Sequence, residues 1–268
     1  MTMNIAEMPL TIASVTKSLH EIGVVEGMTL IVHSSMKSMN RWIVGGESAI
    51  VLALEQALGN DGTLVMPTHT PNLTDPSGWC KPPVPEPWWS IIKTEMPPFE
   101  VDLTPSTSMG AIVECFRKQN GTLRSSHPQT SFAARGKQAS FITEEHSLHY
   151  GIGEQSPIAR IYDKDGWVLL LGVGYSNNTS LHLSELRADY ASKVHMKQGA
   201  PCVVDGKREW ITFDDLDFDS DDFEAIGEAF ERETNAVKIG KIGDATVRLM
   251  RQRDVVDFGV KWMETNRK

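Results

Sequence analysis

His182 and Glu185 stand three residues apart in the run Asn178-Thr179-Ser180-Leu181-His182-Leu183-Ser184-Glu185. On a helix that spacing puts an imidazole and a carboxylate on one face, where the carboxylate can fix the ring's tautomer and raise its basicity. The pair reads as a general base with its orienter. A plainer reading, in which His182 only caps or packs a first helical turn, fits the same spacing. What favours chemistry is the preceding run Trp167-Val168-Leu169-Leu170-Leu171-Gly172-Val173-Gly174. It reads as a buried strand ending in glycines, which would deliver the following helix to the mouth of an α/β sheet, where ligands bind.

Three further loops carry polar groups suited to a ligand. His33-Ser34-Ser35-Met36-Lys37-Ser38-Met39 follows a strand-like segment, and successive backbone N–H groups and hydroxyls at a strand end form a donor array for a pyrophosphate or another polyanion. A tight turn with hydroxyl caps would have the same composition. Thr104-Pro105-Ser106-Thr107-Ser108-Met109-Gly110 and Arg124-Ser125-Ser126-His127-Pro128, with Ser131 after it, suggest more strand ends converging. A Walker-type glycine loop, a Gly-x-Gly-x-x-Gly helix opening and a Gly-x-Ser-x-Gly elbow are absent, which removes the usual signals for nucleotide hydrolysis, dinucleotide redox chemistry and serine hydrolysis. His20, His33, His69, His127, His146, His149, His182 and His195 show no zinc-ligand spacing, and Cys80, Cys115 and Cys202 show no Cys-x-x-Cys. Neither a metal site nor a disulfide framework is expected.

The elements that must position these groups follow from periodicity. Thr11 to Ile22 has helical spacing and leads through Gly23 to Gly27 into a strand, Met28 to Val32. Glu47 to Leu58 reads as a helix closed by Gly59-Asn60-Asp61-Gly62 before a strand, Thr63 to Met66. Such β-loop-α-β units favour parallel pairing with a right-handed crossover. Residues 68 to 105 change character: prolines gather there with Trp79, Trp88 and Trp89. This is expected to be an ordered excursion walling a site rather than disorder. Helices are predicted over Ser108 to Gln119 and Gly136 to Glu145, with a loop and short strand between them, and a helix over Thr179 to Arg187 follows the Trp167 strand. Residues 200 to 235 read as a hairpin turning at Asp205-Gly206, then an acidic segment, before closing helices. Ten carboxylates lie between Asp214 and Glu233 against Arg232 alone; a solvated acidic helix start explains them as well as a binding role does.

The chain of 268 residues is 40% hydrophobic and 23% charged, an ordinary globular balance. A single α/β domain over residues 1 to 268 is expected. Its 26 basic and 35 acidic side chains leave a net charge of −9, which disfavours a nucleic-acid partner and suits a cationic one. The first residues lack a basic segment followed by an apolar one, and no stretch reaches the about eighteen apolar residues of a membrane span. With the scattered cysteines, this points to no membrane association and a cytoplasmic setting.

Taken together and in order, His33-Ser34-Ser35-Met36-Lys37-Ser38, Gly62-Thr63-Leu64-Val65-Met66-Pro67-Thr68, Thr104-Pro105-Ser106 with Met109-Gly110 and Glu114, Arg124-Ser125-x-His127-Pro128, Ser156-Pro157, and Leu170 to Val173 with Asn178 to Glu185 resemble the aminoglycoside 3-N-acetyltransferase family. The resemblance spans roughly residues 10 to 260 and implies a three-layer α/β/α arrangement around a mainly parallel central sheet, distinct from the common N-acetyltransferase superfold. It implies acetyl-CoA as co-substrate and a polycationic aminocyclitol amine, the 3-amino group of a 2-deoxystreptamine aminoglycoside, as acceptor, hence antibiotic resistance. By that likeness His33, Ser34, Ser35, Met36, Lys37 and Ser38, helped by Ser108, Ser131 and Phe132, would hold CoA. Lys37, Arg135 or Lys137 would meet its 3′-phosphate or merely be solvated. His182 matches the family's catalytic imidazole and Glu185 is its nearest acid, although a carboxylate of the 214 to 233 segment is an alternative orienter. Asp75, Asp102, Asp219, Asp222 and Glu224 are the candidates to bind the acceptor's ammonium groups.

An amine attacks a thioester only when neutral, so this chemistry needs a base near operating pH more than it needs a nucleophile. Backbone N–H groups near Ser34 to Met36 are candidate oxyanion donors. Direct transfer is preferred to an acyl-enzyme, for which no paired base is evident. The competing readings are another amine acceptor with the same donor, a non-catalytic CoA or aminoglycoside binder, and a metal-dependent hydrolase.

Overall fold

The computed structural model describes residues 7–268; the reading of the extreme amino-terminal residues as lacking a leader lies outside them. Thr11 starts helix α1 (Ile12–Ile22) by a reciprocal cap, its hydroxyl accepting the Ser14 N–H at 3.1 Å while Ser14 Oγ accepts the Thr11 N–H at 2.9 Å. There follow β1 (Thr29–Ser34), α2 (Gly46–Leu58), β2 (Thr63–Pro67), α3 (Trp89–Glu95), α4 (Ala111–Arg117), β3 (Leu123–Arg124) and β4 (Phe132–Gly136). The chain continues through α5 (Ala139–Thr143), α6 (Pro157–Asp163), β5 (Trp167–Leu171), α7 (Leu181–Arg187), β6 (His195–Val204) and β7 (Lys207–Leu216). It closes with α8 (Phe223–Glu233), β8 (Lys238–Ile242), β9 (Ala245–Arg251) and α9 (Gln252–Asn266).

One sheet runs β3-β4-β2-β1-β5-β9-β8, and β6 and β7 form a separate ribbon. The middle of the sheet is parallel: β1 pairs with β2 on one side and with β5 on the other, in register Leu30↔Leu64 and His33↔Leu170. The outer pairings are antiparallel, so that β1, β2, β3, β5 and β8 run one way and β4 and β9 the other. Alternation along the strands sorts the core into two layers. Leu30, Val32, Leu64, Met66, Leu169 and Leu171 pack with α1, α2 and α4, while Ile31, Val65, Val168 and Leu170 pack with α5 to α9. By the same alternation His33 falls on the α7 side. Helices on both faces of a largely unidirectional sheet make the three-layer α/β/α fold.

Two expectations need correction. Between α8 and α9 the chain forms the hairpin β8–β9, which extends the main sheet, rather than continuing as closing helices. The signal was Ala245 to Met250, whose alternating burial matches a strand one position in from the sheet edge. The helices expected over Ser108 to Gln119 and Gly136 to Glu145 are also shorter, α4 and α5, because Gly110 at φ 93° and Gly136 at φ 122° are outside helical space.

In the excursion three short 3₁₀ turns, Pro71–Leu73, Pro76–Gly78 and Glu86–Trp88, precede α3. One buried cation closes its neck. Arg124 donates to the carbonyls of Thr68 (2.8 Å), Val101 (3.0 Å) and Thr104 (2.5 Å), and its Nε reaches the hydroxyls of Thr68 and Ser131 at 3.1 Å. Burial, with Arg117 nearby, pulls its guanidinium down to about 10. The β6–β7 ribbon leans on the excursion through Phe99 N–H to Pro201 C=O (3.2 Å), and Gln129 Nε2 bridges the carbonyls of Leu73 (3.1 Å) and Gly199 (2.9 Å). Among the described residues no helix is long and apolar enough to cross a membrane.

Beneath Gln129 lie two buried imidazoles with ring centroids 4.9 Å apart. His127 Nε2 donates to Leu148 C=O (3.1 Å) while its Nδ1 accepts the Gln129 and Thr130 N–H groups. His146 Nε2 donates to Gly151 C=O (2.6 Å) and its Nδ1 takes the Ser125 hydroxyl (2.9 Å). Burial holds His127 down at about 4, and burial with the neighbouring His127 holds His146 at about 3, against an ordinary 6.5. Both are therefore neutral in the fold, and their contribution to stability is fully present above pH 6.5 and lost as pH falls towards 4 and 3. The melting temperature should fall as pH drops below 6.5, and His146→Leu should flatten that fall; equal slopes in thermal unfolding from pH 7 to 4 would refute the assignment.

Candidate functional site

The candidate site lies where the parallel strands end. Ser35 N–H donates to Leu171 C=O at 2.9 Å, and Ser38 Oγ donates to Gly172 C=O at 2.6 Å, so the loop after β1 is tied to the end of β5. Gly172 has φ 71°, and a Cβ there would meet Ser38 Cβ at 2.7 Å. Only glycine suits that contact. The chain then enters α7 through Asn178, whose Oδ1 accepts the Ser180 N–H at 3.2 Å.

On α7, His182 and Glu185 face each other: Nδ1 of the ring is hydrogen-bonded to Glu185 Oε2. Glu185 is wholly buried, whereas the His182 side chain keeps 19% of its surface. With Nδ1 donating, Nε2 of a neutral ring is left as a free lone pair. The ring is packed between Phe218, 4.9 Å away and edge-on, and Phe223, 4.8 Å away and tilted. The other carboxylate oxygen of Glu185 accepts the Asp219 N–H (3.0 Å) and Arg267 Nη1 (2.7 Å). A buried carboxylate with three hydrogen-bond donors is satisfied, and leaving one unmade costs about 1–3 kcal/mol or more for a charged group. Arg267 arrives there because α9 lies close against α7: a Cβ on Gly259 would meet Ser184 Oγ at 2.6 Å, and Ser184 Oγ donates to Val256 C=O at 2.9 Å.

Three further titratable groups belong to this corner. His33 and His69 are held at about 3, chiefly by burial and next by the neighbouring His182. Nε2 of each is buried without a hydrogen-bond partner, as is Asn178 Nδ2. Asp215, at the end of β7 and 4% exposed, is pushed up to about 6 by burial, although the Leu216 N–H and His182 pull the other way. The sequence reading missed Arg267, Phe218, Phe223 and His69 as parts of the site. No short-range spacing to His182 announces them, since His69, the Phe218–Phe223 segment and Arg267 lie far from it in sequence.

The structure sorts the residues expected to hold CoA. Ser34, Ser35 and Met36 are partly exposed and Lys37 is exposed, at the start of a 3₁₀ turn, Met36–Met39, whose N-cap Ser35 makes no side-chain cap. Ser108 is exposed at φ 64°. His33 differs from its neighbours: its ring is 6% exposed, and burial holds it at about 3, so it is neutral. Ser131 and Phe132 lie deeper still. Both are fully buried, and Ser131 Oγ is bonded to Thr68 C=O (2.9 Å) in the neck of the excursion. The Ser38 hydroxyl is committed to Gly172.

The acidic candidates divide similarly. Both oxygens of Asp222 are bonded by Arg267 (2.6 and 2.8 Å). Asp75 is ion-paired with Lys93 and accepts the Ser77 N–H at 3.0 Å. Asp219 contributes mainly backbone to the corner, its Oδ1 accepting the Asp221 N–H at 2.8 Å. Glu224 accepts the Ser176 N–H at 3.2 Å, and Asp102 is exposed, with its carbonyl taken by Arg117 (2.9 Å). The carboxylate bonded to the His182 ring is Glu185, and the acidic segment contacts this corner through the Asp219 N–H and through Asp222, which holds Arg267. Two surface cavities lie elsewhere: one of about 600 Å³ between α2 and α4 beside Cys115, and one of about 780 Å³ between the end of α2, the start of β2 and Arg135 of β4. Neither touches His182.

Comparison with known proteins identifies the family. A family model described as aminoglycoside 3-N-acetyltransferase matches residues 31–264. The SPbeta prophage-derived aminoglycoside N(3′)-acetyltransferase-like protein YokD of Bacillus subtilis is 42% identical over 259 residues, 96% of this chain and 94% of its own. Its crystal structure has TM-score 0.94, covering 97% of this chain and 95% of that one. Aminoglycoside N(3)-acetyltransferase VII of Streptomyces paromomycinus is 33% identical over 269 residues, 96% of this chain and 92% of its own. Among solved structures at 28% identity, AAC-IIIb in binary complex with CoASH has TM-score 0.85 and covers 96% of this chain and 97% of its own. AAC-VIa bound to sisomicin has TM-score 0.87 and covers 97% of this chain and 100% of its own. A chain that builds this fold, brings a histidine and glutamate together at the strand ends and matches the family model over most of its length belongs to the aminoglycoside 3-N-acetyltransferase family of acyltransferases.

Proposed function

We propose that this protein transfers the acetyl group of acetyl-CoA to an amino group of a polycationic aminoglycoside, the 3-amino group of the 2-deoxystreptamine ring, by direct base-assisted attack, and that it thereby confers resistance. The observation that carries this reading is the His182–Glu185 pair, with Nδ1 engaged and Nε2 free at a partly exposed ring. His182 Nε2 accepts the proton of the attacking amine, and Glu185 stabilises the imidazolium that results. Phe218 and Phe223 hold the ring in plane and limit water around it.

Acetyl-CoA supplies an activated acyl group as a thioester. The residues present fit such a donor: the uncapped 3₁₀ turn after β1 offers backbone N–H groups with the Ser34 and Ser35 hydroxyls and Lys37 for its anionic part. The unpartnered Nε2 atoms of His33 and His69 offer neutral donors nearer the base. Direct transfer is favoured over an acyl-cysteine on Cys115 or Cys202 because neither thiol is activated. Burial raises Cys115 and pushes Cys202 up to about 11, and activation needs a depressed value. His182→Ala should lower kcat/KM roughly 10²–10⁴-fold, read as thiol release from acetyl-CoA across a panel of aminoglycosides and simple amines. Wild-type turnover in that variant, or an isolable acetyl-enzyme that passes its acetyl group to the amine at the turnover rate, would sink the mechanism. Turnover confined to simple amines would remove the aminoglycoside.

Asp215 is the carboxylate best placed to receive an ammonium group beside the base, since it is buried, close to His182 and without a cationic partner among the described residues. Because burial lifts it to about 6, acceptor binding should weaken as pH falls below that value. Asp215→Asn should raise KM for the acceptor roughly tenfold and abolish this pH dependence, with KM for acetyl-CoA unchanged. An unaltered acceptor KM would discard the assignment.

A further inference from the structure

We propose that Arg267 is a positioning residue for acyl transfer: it holds Glu185 ionised and fixed, and through it keeps His182 poised as a base. This rests on the reading of His182 as the base, but Arg267 lies beyond the residues 31–264 matched by the family model. A guanidinium has five N–H donors, and here all of them are used. Nε and Nη2 clasp Asp222 at 2.8 and 2.6 Å, Nη2 also reaches Asp219 C=O at 2.7 Å, and Nη1 reaches Glu185 Oε1 at 2.7 Å and Tyr190 OH at 3.2 Å. The side chain is 9% exposed. A surface arginine making one adventitious ion pair would not be enclosed in this way.

The consequence is electrostatic. Glu185 and Asp222 bring two negative charges close to His182, and Arg267 offsets one of them. Without the guanidinium, the His182–Glu185 pair would hold a proton to higher pH, whichever of its atoms carries it. A base that stays protonated cannot accept the amine's proton. The other titratable groups facing the pair are Tyr190 after α7, Lys193, Asp215 from β7, and His33 and His69 from the strand ends. Of these only Lys193 is a cation of the ordinary kind, and its ammonium is occupied by the Leu186 and Ala188 carbonyls (3.0 and 2.5 Å). Arg267 is therefore the group that offsets the acidic pair.

The test is the pH profile of kcat/KM for the wild type, Arg267→Met and Arg267→Lys, with thermal unfolding of each. In Arg267→Met the acidic limb should move up by about one pH unit, a roughly tenfold loss on the acid side of the profile, with KM for acetyl-CoA unchanged. Arg267→Lys should lie between the two, and millimolar guanidinium ion should restore part of the activity of Arg267→Met. Histidine NMR of the enzyme without acetyl-CoA should show the His182 ring taking up its proton at higher pH in the same variant. If Arg267→Met does not fold, Arg267→Gln, which keeps a donor but not the charge, should show the same shift. A limb coincident with wild type, or a uniform loss at every pH without rescue, overturns the proposal. His182→Ala measured alongside separates the two claims. If it is inactive while Arg267→Met is unshifted, only the role of Arg267 falls; if it retains wild-type turnover, both fall.

Discussion

A carboxylate buried without access to water is the constraint around which this corner of the molecule is built. Glu185 cannot be ionised there unless its oxygens are bonded, and a charge left unpaired in such a place is strongly destabilising. The fold answers with donors from three segments: the His182 ring one helical turn earlier, the Asp219 backbone at the start of the acidic segment, and Arg267 after α9. Each of these requires something else. The Arg267 contact needs α9 pressed on α7, hence Gly259; the Asp219 contact needs the segment between β7 and α8 to turn inward, where Phe218 and Phe223 then flank the imidazole. In the proposed reading the same bonds that make Glu185 tolerable also select the tautomer that leaves Nε2 free.

The sheet brings the segment that leads into α7 to the same end as the loop after β1. Parallel pairing of β1 with β2 and β5 brings the segments after these strands to one end, and the contact between Ser38 and Gly172 fixes the distance between the first and the last of them. Arg124 does comparable work on the other side, gathering carbonyls from both ends of the excursion. A buried guanidinium bonded to carbonyls rather than carboxylates keeps its positive charge largely uncompensated, which is why it is pulled below its ordinary range. The excursion is thus held at its neck while other parts of it lean on the β6–β7 ribbon.

Much of this was legible in the sequence, and for identifiable reasons. Helical spacing joined His182 to Glu185, the apolar run from Trp167 marked the strand before them, and Asp205-Gly206 marked the ribbon turn, all of which are short-range patterns. Other contacts were not legible, because the side chain's partners are set at long range. Ser131 looks like any loop hydroxyl until Arg124 and Thr68 enclose it, and Asp222 looks like a substrate carboxylate until Arg267 claims it. His33 carries the same ambiguity: its neighbours Ser34 and Ser35 are partly exposed, while strand alternation sends its own ring beneath the sheet end. The β8–β9 hairpin was hidden by the acidic segment before it, although Ala245 to Met250 carries the alternation of a strand.

The central claim is that Glu185 holds His182 with Nδ1 protonated and Nε2 free. Nitrogen-15 histidine NMR of the enzyme at a pH where the ring is neutral tests it most directly. The account requires the His182 signals of the Nδ1–H tautomer, with that proton hydrogen-bonded and lost from this position in Glu185→Gln. Signals of the Nε2–H tautomer in the wild-type enzyme would contradict it.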